Sequence, residues 1–277
     1  MATLQPILSF LLTLVSSFLF LLRLSSGQSL KSCGFDQIYQ LGDSLADTGN
    51  LIREFPVGTV APYGRPPYGV TLGKATGRCS DVAGATALTV EFLATKLIVP
   101  LLTKSSLSVQ LGWMSKYFNS CSTDGGCREK LKQSLFIVGE TGENEFNFAL
   151  SELKSFEQVQ SLVPYMVDAT TAAVRTVIGT YGAVRVIVPG IWPLGCFPIF
   201  LTQFQHNDTV TYDANHCLNQ INNIVMYYNG QLQNAILELK KEFPDAFIVY
   251  GDYYKAFLQL LDSAPSLGMS LTKILYG

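Results

Sequence analysis

Charge is scarce in this sequence and histidine scarcer still. Charged residues make up 14% of the 277, against 48% apolar, and the only histidines are His206 and His216. With so much apolar side chain to bury, disorder is excluded for the bulk of the chain. Lysine and arginine number 19 against 21 aspartates and glutamates, a formal net charge of −2. That leaves no basic excess to neutralise phosphates, which argues against nucleic acid as a partner. There is no acidic tail and no internal repeat, and ordinary glycine (23) and proline (12) contents exclude collagen-like and low-complexity chains. The six cysteines are Cys33, Cys79, Cys121, Cys127, Cys196 and Cys217, and none forms a C-x-x-C pair. This argues against a structural zinc site or a thioredoxin-type motif.

Long hydrophobic runs are also lacking, with one exception. Ile7–Leu22 is an apolar stretch of 16 residues, followed by the small residues Ser25, Ser26 and Gly27. It falls at or below the length that spans a bilayer. It reads as a signal peptide cleaved after Gly27, with a signal anchor as the rival reading. Nothing later is long and apolar enough to span, so stable membrane insertion is not expected. The expectation is a secreted protein, by an extracellular, cell-wall or vacuolar route, with residues 1–27 as signal peptide and 28–277 as one domain. In an oxidising compartment the cysteines would pair. Cys121 and Cys127 flank the turn-rich Ser122–Gly126 and suggest one short bridge, while the other pairings stay open. Asn207-Asp208-Thr209 is a glycosylation sequon at Asn207.

Four short β-rich runs stand out: Gln37–Leu41, Leu135–Gly139, Val184–Val188 and Phe247–Tyr250. Each is apolar on both faces, as a buried parallel strand would be. Between them lie helical patterns over Gln158–Thr180, with Pro164 at a kink or a first turn, and over Leu218–Phe243. Strands alternating with helices predict α/β architecture with a mainly parallel sheet. In such sheets chemistry gathers just beyond the carboxyl ends of the strands.

Beyond the first strand comes Gly42-Asp43-Ser44, which places Ser44 on a strand-to-helix turn with backbone amides nearby. That suits a nucleophile whose oxyanion needs donors. The run is not G-x-S-x-G, so the elbow of α/β-hydrolases is absent. Taken alone, GDS favours the plainer reading of a helix cap. Beyond the second strand comes Gly139–Asn147 (GETGENEFN), where Asn144 could aim its side-chain amide at an oxyanion. Its carboxylates Glu140, Glu143 and Glu145 suggest a glycosidase pair less well than they suggest a solvated loop, since no partner comes from another strand.

Together these segments resemble a family. QLGDSLADTGN (Gln40–Asn50), ATGRCSD (Ala75–Asp81), VAGATAL (Val82–Leu88), GETGENEFN, VRVIVPGIWPLGC (Val184–Cys196) and EFPDAFIVYGDYY (Glu242–Tyr254) look like blocks of the plant GDSL esterase/lipase family, which belongs to the SGNH hydrolases. Within it, the members that remove acetyl groups from plant alkaloids are nearest in pattern. The resemblance implies a three-layer, flavodoxin-like sandwich. It implies Ser44 as nucleophile, and as oxyanion-hole donors the amides of Ser44 and Gly84 and the side chain of Asn144. It also implies hydrolysis of a small acyl ester through a serine ester, with no metal or cofactor. Oligomeric state is not legible.

Two departures stand against the match. The family finishes with an Asp-x-x-His block carrying the general base and its orienting acid. Here no D-x-x-H occurs, and His206 and His216 both lie between the third strand and the long helix. Second, Asp81 runs directly into Val82, where the family has a helix and a strand. The expectation is therefore a sandwich missing one strand and the carboxyl-terminal part, by skipped or incomplete coding sequence, with impaired activity or none. A smaller difference is Glu145, where the family usually has Asp beside its Asn.

Overall fold

The computed structural model of the protein describes residues 30–54, 81–100, 102–121, 126–205 and 209–268. Outside the described residues fall Ile7–Leu22 with the Gly27 cleavage point, Cys79, His206, Asn207 and everything beyond Gly268; nothing is described of the Cys121 and Cys127 side chains either. The chain divides into two units, Met1–Asp36 and Gln37–Gly277. Of the first, the described part holds one 3-10 turn, Leu30–Cys33.

The second unit is built on four strands: β1 (Ile38–Gly42), β2 (Leu135–Glu140), β3 (Arg185–Pro189) and β4 (Phe247–Gly251). These are the four runs read from the sequence, each extending one residue further. All neighbours pair in parallel, in the order β1-β2-β3-β4. Between β1 and β2 run α1 (Asn50–Glu54), α2 (Val90–Thr95), α3 (Leu107–Cys121) and α4 (Gly126–Lys132). No strand occurs there among the described residues. Helices α5 (Glu143–Ser151), α6 (Phe156–Gln160) and α7 (Val163–Gly179) lead to β3. Helices α8 (Pro198–Phe204) and α9 (Asn219–Glu242) lead to β4, and α10 (Tyr253–Ser263) follows it.

The single helix expected over Gln158–Thr180 is two. Ser155 caps α6 with a full capping box, and Pro164 sits in the first turn of α7. A first-turn proline loses no hydrogen bond, because its N–H would have no partner in the helix anyway. Helix α9 buries Ile221, Ile224, Val225, Tyr228, Leu232, Ile236 and Leu239 at spacings of three and four, the stripe expected from its sequence.

Each parallel neighbour is reached by a helical crossover, and α3, α7 and α9 lie on these crossovers. These helices pack on the sheet and on one another. Leu41, Phe136, Val138, Val186, Val188 and Ile248 form the sheet's contribution to the main core. The alternate residues Ile38, Leu135, Ile137, Ile187 and Val249 are only half-buried and stand outside that core, and Phe247 is 70% exposed. Among the described residues one face of the sheet lies in the main core and the other is partly buried, and helices around a parallel sheet agree with the expected three-layer sandwich.

Cys196 and Cys217, both fully buried, are joined across 21 positions. The link ties the 3-10 turn Leu194–Cys196 to the start of α9. Closing a loop of that length restricts the unfolded chain by about 3 kcal/mol. Replacing both cysteines by serine should lower unfolding free energy in denaturant by about that amount, and a loss under 1 kcal/mol would show that the bridge adds little.

Candidate active site

The carboxyl ends of the four strands bring together Asp43 and Ser44 beyond β1, Glu140–Glu145 at and beyond β2, Gly190–Trp192 beyond β3, and Asp252 and Tyr253 beyond β4. Ser44 is exposed, while Asp43 beside it is 1% exposed. The Asp43 carboxyl accepts from the Leu45 amide at 3.2 Å and from the Asn144 side chain at 3.4 Å, with the Ser44 amide also in reach.

The turn after β1 is fixed by Asp47. One of its oxygens accepts from the amides of Gly49 and Asn50 at 2.6 Å, and the other from those of Leu51 (3.1 Å) and Ala83 (2.8 Å). The first three bonds start α1, as an aspartate before a helix does. The fourth reaches across to the segment Val82–Leu88. Gly84 sits in that segment at φ +82°, and a Cβ there would lie 2.6 Å from Leu102 Cβ. Only glycine suits both the left-handed backbone and the space. The Asn144 side chain donates to the Ala85 carbonyl at 2.8 Å, so it stands one residue from Gly84. The structure therefore brings Ser44, Gly84 and Asn144 into one region, with the donors of Asn144 engaged by Asp43 and Ala85.

The reading of Glu140, Glu143 and Glu145 as a solvated loop is corrected. Glu143 opens α5, which turns Glu145 inward to complete burial, where one carboxyl oxygen accepts from the Leu88 amide at 2.9 Å. Glu140 is half-buried and accepts from Gln40. His216 lies in an exposed turn at φ +59°, its amide donating to the Asp213 carbonyl, and no bond described for it reaches the residues around Ser44.

Three buried side-chain amides escaped sequence reasoning. Gln110 of α3, fully buried, accepts from the Gly42 amide at 3.0 Å and donates to the Gly42 carbonyl at 2.8 Å. Asn229 of α9 treats Ile191 the same way, at 2.8 and 2.9 Å, and Asn222 accepts from Gly195 at 2.9 Å. Only polar residues falling on otherwise apolar helix faces could have flagged them. Beyond β3 and β4, Trp192 packs on Tyr253 with ring centroids 4.6 Å apart, walling the side of the site away from β1.

Electrostatically the site is a group of carboxyls out of water. Burial pushes Asp43 up to about 8, against the opposing Leu45 amide and with the Glu140 and Glu145 charges adding to it. Burial does the same for Asp81, to about 8, and both its oxygens lack a hydrogen-bond partner among the described residues. Glu145 is raised to about 7 by burial, tempered by the Leu88 amide. Burial also raises Glu143 and Glu140. Among the described residues no group of three histidine, cysteine or acidic side chains could hold a metal ion. No described helix is long and apolar enough to cross a membrane.

Residues 38–269 match the family described as GDSL-like lipase/acylhydrolase. A GDSL esterase/lipase of Arabidopsis thaliana is 43% identical over 249 positions, covering 90% of this chain and 75% of that protein. Acetylajmalan esterase of Rauvolfia serpentina is 39% identical over 304 positions, covering 96% and 76%. Acetylajmalan esterase 1 of the same plant is 38% identical over 279, covering 88% and 72%. The Arabidopsis alignment is about as long as the part of this chain it covers, and that part must cross the Asp81–Val82 junction. It therefore leaves next to no gap on this side. The direct run from Asp81 into Val82 is shared with that relative, whereas the 304-position alignment outruns the chain itself.

Two outcomes follow from this site. A carboxyl raised from its usual value near 4 to between 7 and 8 stabilises the fold fully below its unfolded pKa, and that contribution is lost as pH rises through the folded value. Melting temperature should fall between pH 5.5 and pH 8.5, and Asp81→Asn should flatten the fall; a profile unchanged by Asp81→Asn would refute this account of Asp81. Gln110→Leu takes the side-chain acceptor from the buried Gly42 amide and leaves its carbonyl only the long 3.4 Å bond from the Val82 amide, and should cost about 2 kcal/mol in denaturant unfolding.

Proposed function

The chain belongs to the GDSL-like lipase/acylhydrolase family, and on that premise we propose that it is a secreted serine ester hydrolase by lineage, acting on acetyl or other small acyl esters of plant metabolites through Ser44. The observation that carries the reading is the convergence of Ser44, Gly84 and Asn144 at the carboxyl edge of the sheet, with Asn144 bonded one residue from Gly84. The names of the Rauvolfia relatives, esterases of acetylajmalan, support an acetyl ester as substrate.

In this reading the Ser44 hydroxyl attacks the ester carbonyl and passes its proton to solvent water, which returns one to the departing alkoxide. The oxyanion that forms is met by the amides of Ser44 and Gly84 and by the Asn144 side chain, which releases Asp43 or Ala85 to reach it. Collapse expels the alcohol, and water then cleaves the acyl-serine. No metal or cofactor takes part. Residues 1–27 act as signal peptide, 28–277 form the hydrolase domain, and Asn207 carries glycan. The disulfide Cys196–Cys217 suits an oxidising compartment.

A second reading is favoured by one observation: no D-x-x-H occurs, and no bond described for His216 reaches the residues around Ser44. Without a general base a serine is a weak nucleophile. Losing the histidine of a serine-protease triad costs about 10⁶ in rate, while the oxyanion hole and binding retain about 10³–10⁴ over water. The alternative is thus a catalytically inactive relative that binds esters or serves as a decoy. The expected result is slow hydrolysis of a small acetyl ester by the secreted chain, abolished by Ser44→Ala. Equal rates for the two folded proteins would leave only the binding reading.

A further inference from the structure

Glu145 is a charged side chain whose burial the sequence gives no reason for. It is fully buried on the first turn of α5, next to Asn144. The two neighbours hold the same strip of backbone at two points. Asn144 donates to the Ala85 carbonyl, and Glu145 accepts from the Leu88 amide. Gly84 lies immediately before the first hold. The rest of the strip is bonded to Asp47 through Ala83, to Gly42 through Val82, and to the Leu107 amide through Thr86.

The second carboxyl oxygen of Glu145 lacks a partner among the described residues, as do the hydroxyls of Tyr228 on α9 and Thr170 on α7. Tyr228 joins the three groups, because it lies against Thr170 and feels the Glu145 charge. Asp43, beyond β1, feels that charge too. One oxygen of Glu145 therefore binds the Gly84 strip, and the other is buried without a partner among the described residues.

We propose that Glu145 is a positioning residue of the ester-hydrolase site: its buried carboxyl sets where the Val82–Leu88 strip, and so the Gly84 amide, stands relative to Asn144. The inference rests on the ester-hydrolase reading for its catalytic meaning, and on geometry alone for the position of the strip. Reach matters here. An aspartate at this place would end about 1.5 Å short, one C–C bond, so the Leu88 amide would have to follow it or go unpaired. Charge matters as well. The carboxyl titrates at about 7, so the acceptor facing Leu88 changes from neutral to ionised across the neutral range, and an ionised acceptor binds an amide more tightly.

The test compares wild type with Glu145→Gln, Glu145→Asp, Glu145→Ala and Ser44→Ala. Two quantities are read: hydrogen exchange at the amides of Gly84, Ala85 and Leu88, referenced to global unfolding, and the rate at which a fluorophosphonate labels Ser44. Glutamine keeps the acceptor and the length. It should preserve Leu88 protection and labelling, and diminish the change of Leu88 protection between pH 6 and pH 8, while labelling still responds to the carboxyls of Asp43 and Asp81. Aspartate should cost at least tenfold in Leu88 protection and about tenfold in labelling, with exchange in β2 unchanged. Alanine should do the same or more; if it fails to fold, the glutamine–aspartate pair carries the comparison.

Wild-type protection at Leu88 in Glu145→Asp, at unaltered global stability, would overturn the proposal. So would a pH response of Leu88 protection, referenced to global unfolding, that is undiminished in Glu145→Gln. If the probe fails to label even wild type, or labels Ser44→Ala equally, the ester-hydrolase reading falls. The exchange data still decide whether Glu145 holds the strip.

Discussion

The site depends on one strip of irregular backbone being held still. Val82–Leu88 belongs to no helix or strand, so its buried amides and carbonyls must find partners elsewhere. They find them in four places: the Gly42 carbonyl at the end of β1, the Asp47 carboxylate, the first residues of α5, and the amide of Leu107. Asp47 does most, since four amide hydrogens converge on its two oxygens. The turn carrying Ser44 and the strip carrying Gly84 are thereby referred to a single side chain, and an error in one is carried to the other.

A second device recurs along the carboxyl edge of the sheet. Gln110 and Asn229 each return a bond to both the N–H and the C=O of one loop residue, much as a neighbouring strand would. Gly42 has no room for a side chain: a Cβ there would come within 2.8 Å of Asp81 and 3.0 Å of Glu140. Gly190 is equally confined, with the Tyr250 hydroxyl 2.2 Å from where its Cβ would be. Helices α3 and α9 thus do more than cover apolar surface. They lend polar groups to the strand ends, where chemistry needs loops and loops need anchors.

Much of this was legible in the chain. The four strands were readable because short apolar runs closed by glycine or proline have few other interpretations, and α9 because its stripe holds for 24 residues. Ser44, Gly84 and Asn144 were readable through their blocks, not through periodicity. The burial of Glu145, Asp43 and Asp81 was not, because a carboxylate near a glycine-rich turn looks the same in sequence whether it faces water or not. Gln110 and Asn229 were hidden for the opposite reason: a lone amide on an apolar helix face carries no sign of what it will bond.

The acidic centre also makes folding an act of proton capture. In the unfolded chain Asp43, Asp81 and Glu145 are ionised at neutral pH, since their ordinary values lie near 4. In the native protein burial holds Asp43 and Asp81 mostly protonated and Glu145 about half so. Each molecule that folds at pH 7 therefore withdraws hydrogen ions from its surroundings, and a weakly buffered solution turns more alkaline as the protein refolds. The enthalpy recorded for that refolding includes the buffer's own heat of ionisation, so it differs between phosphate and Tris although the protein is the same.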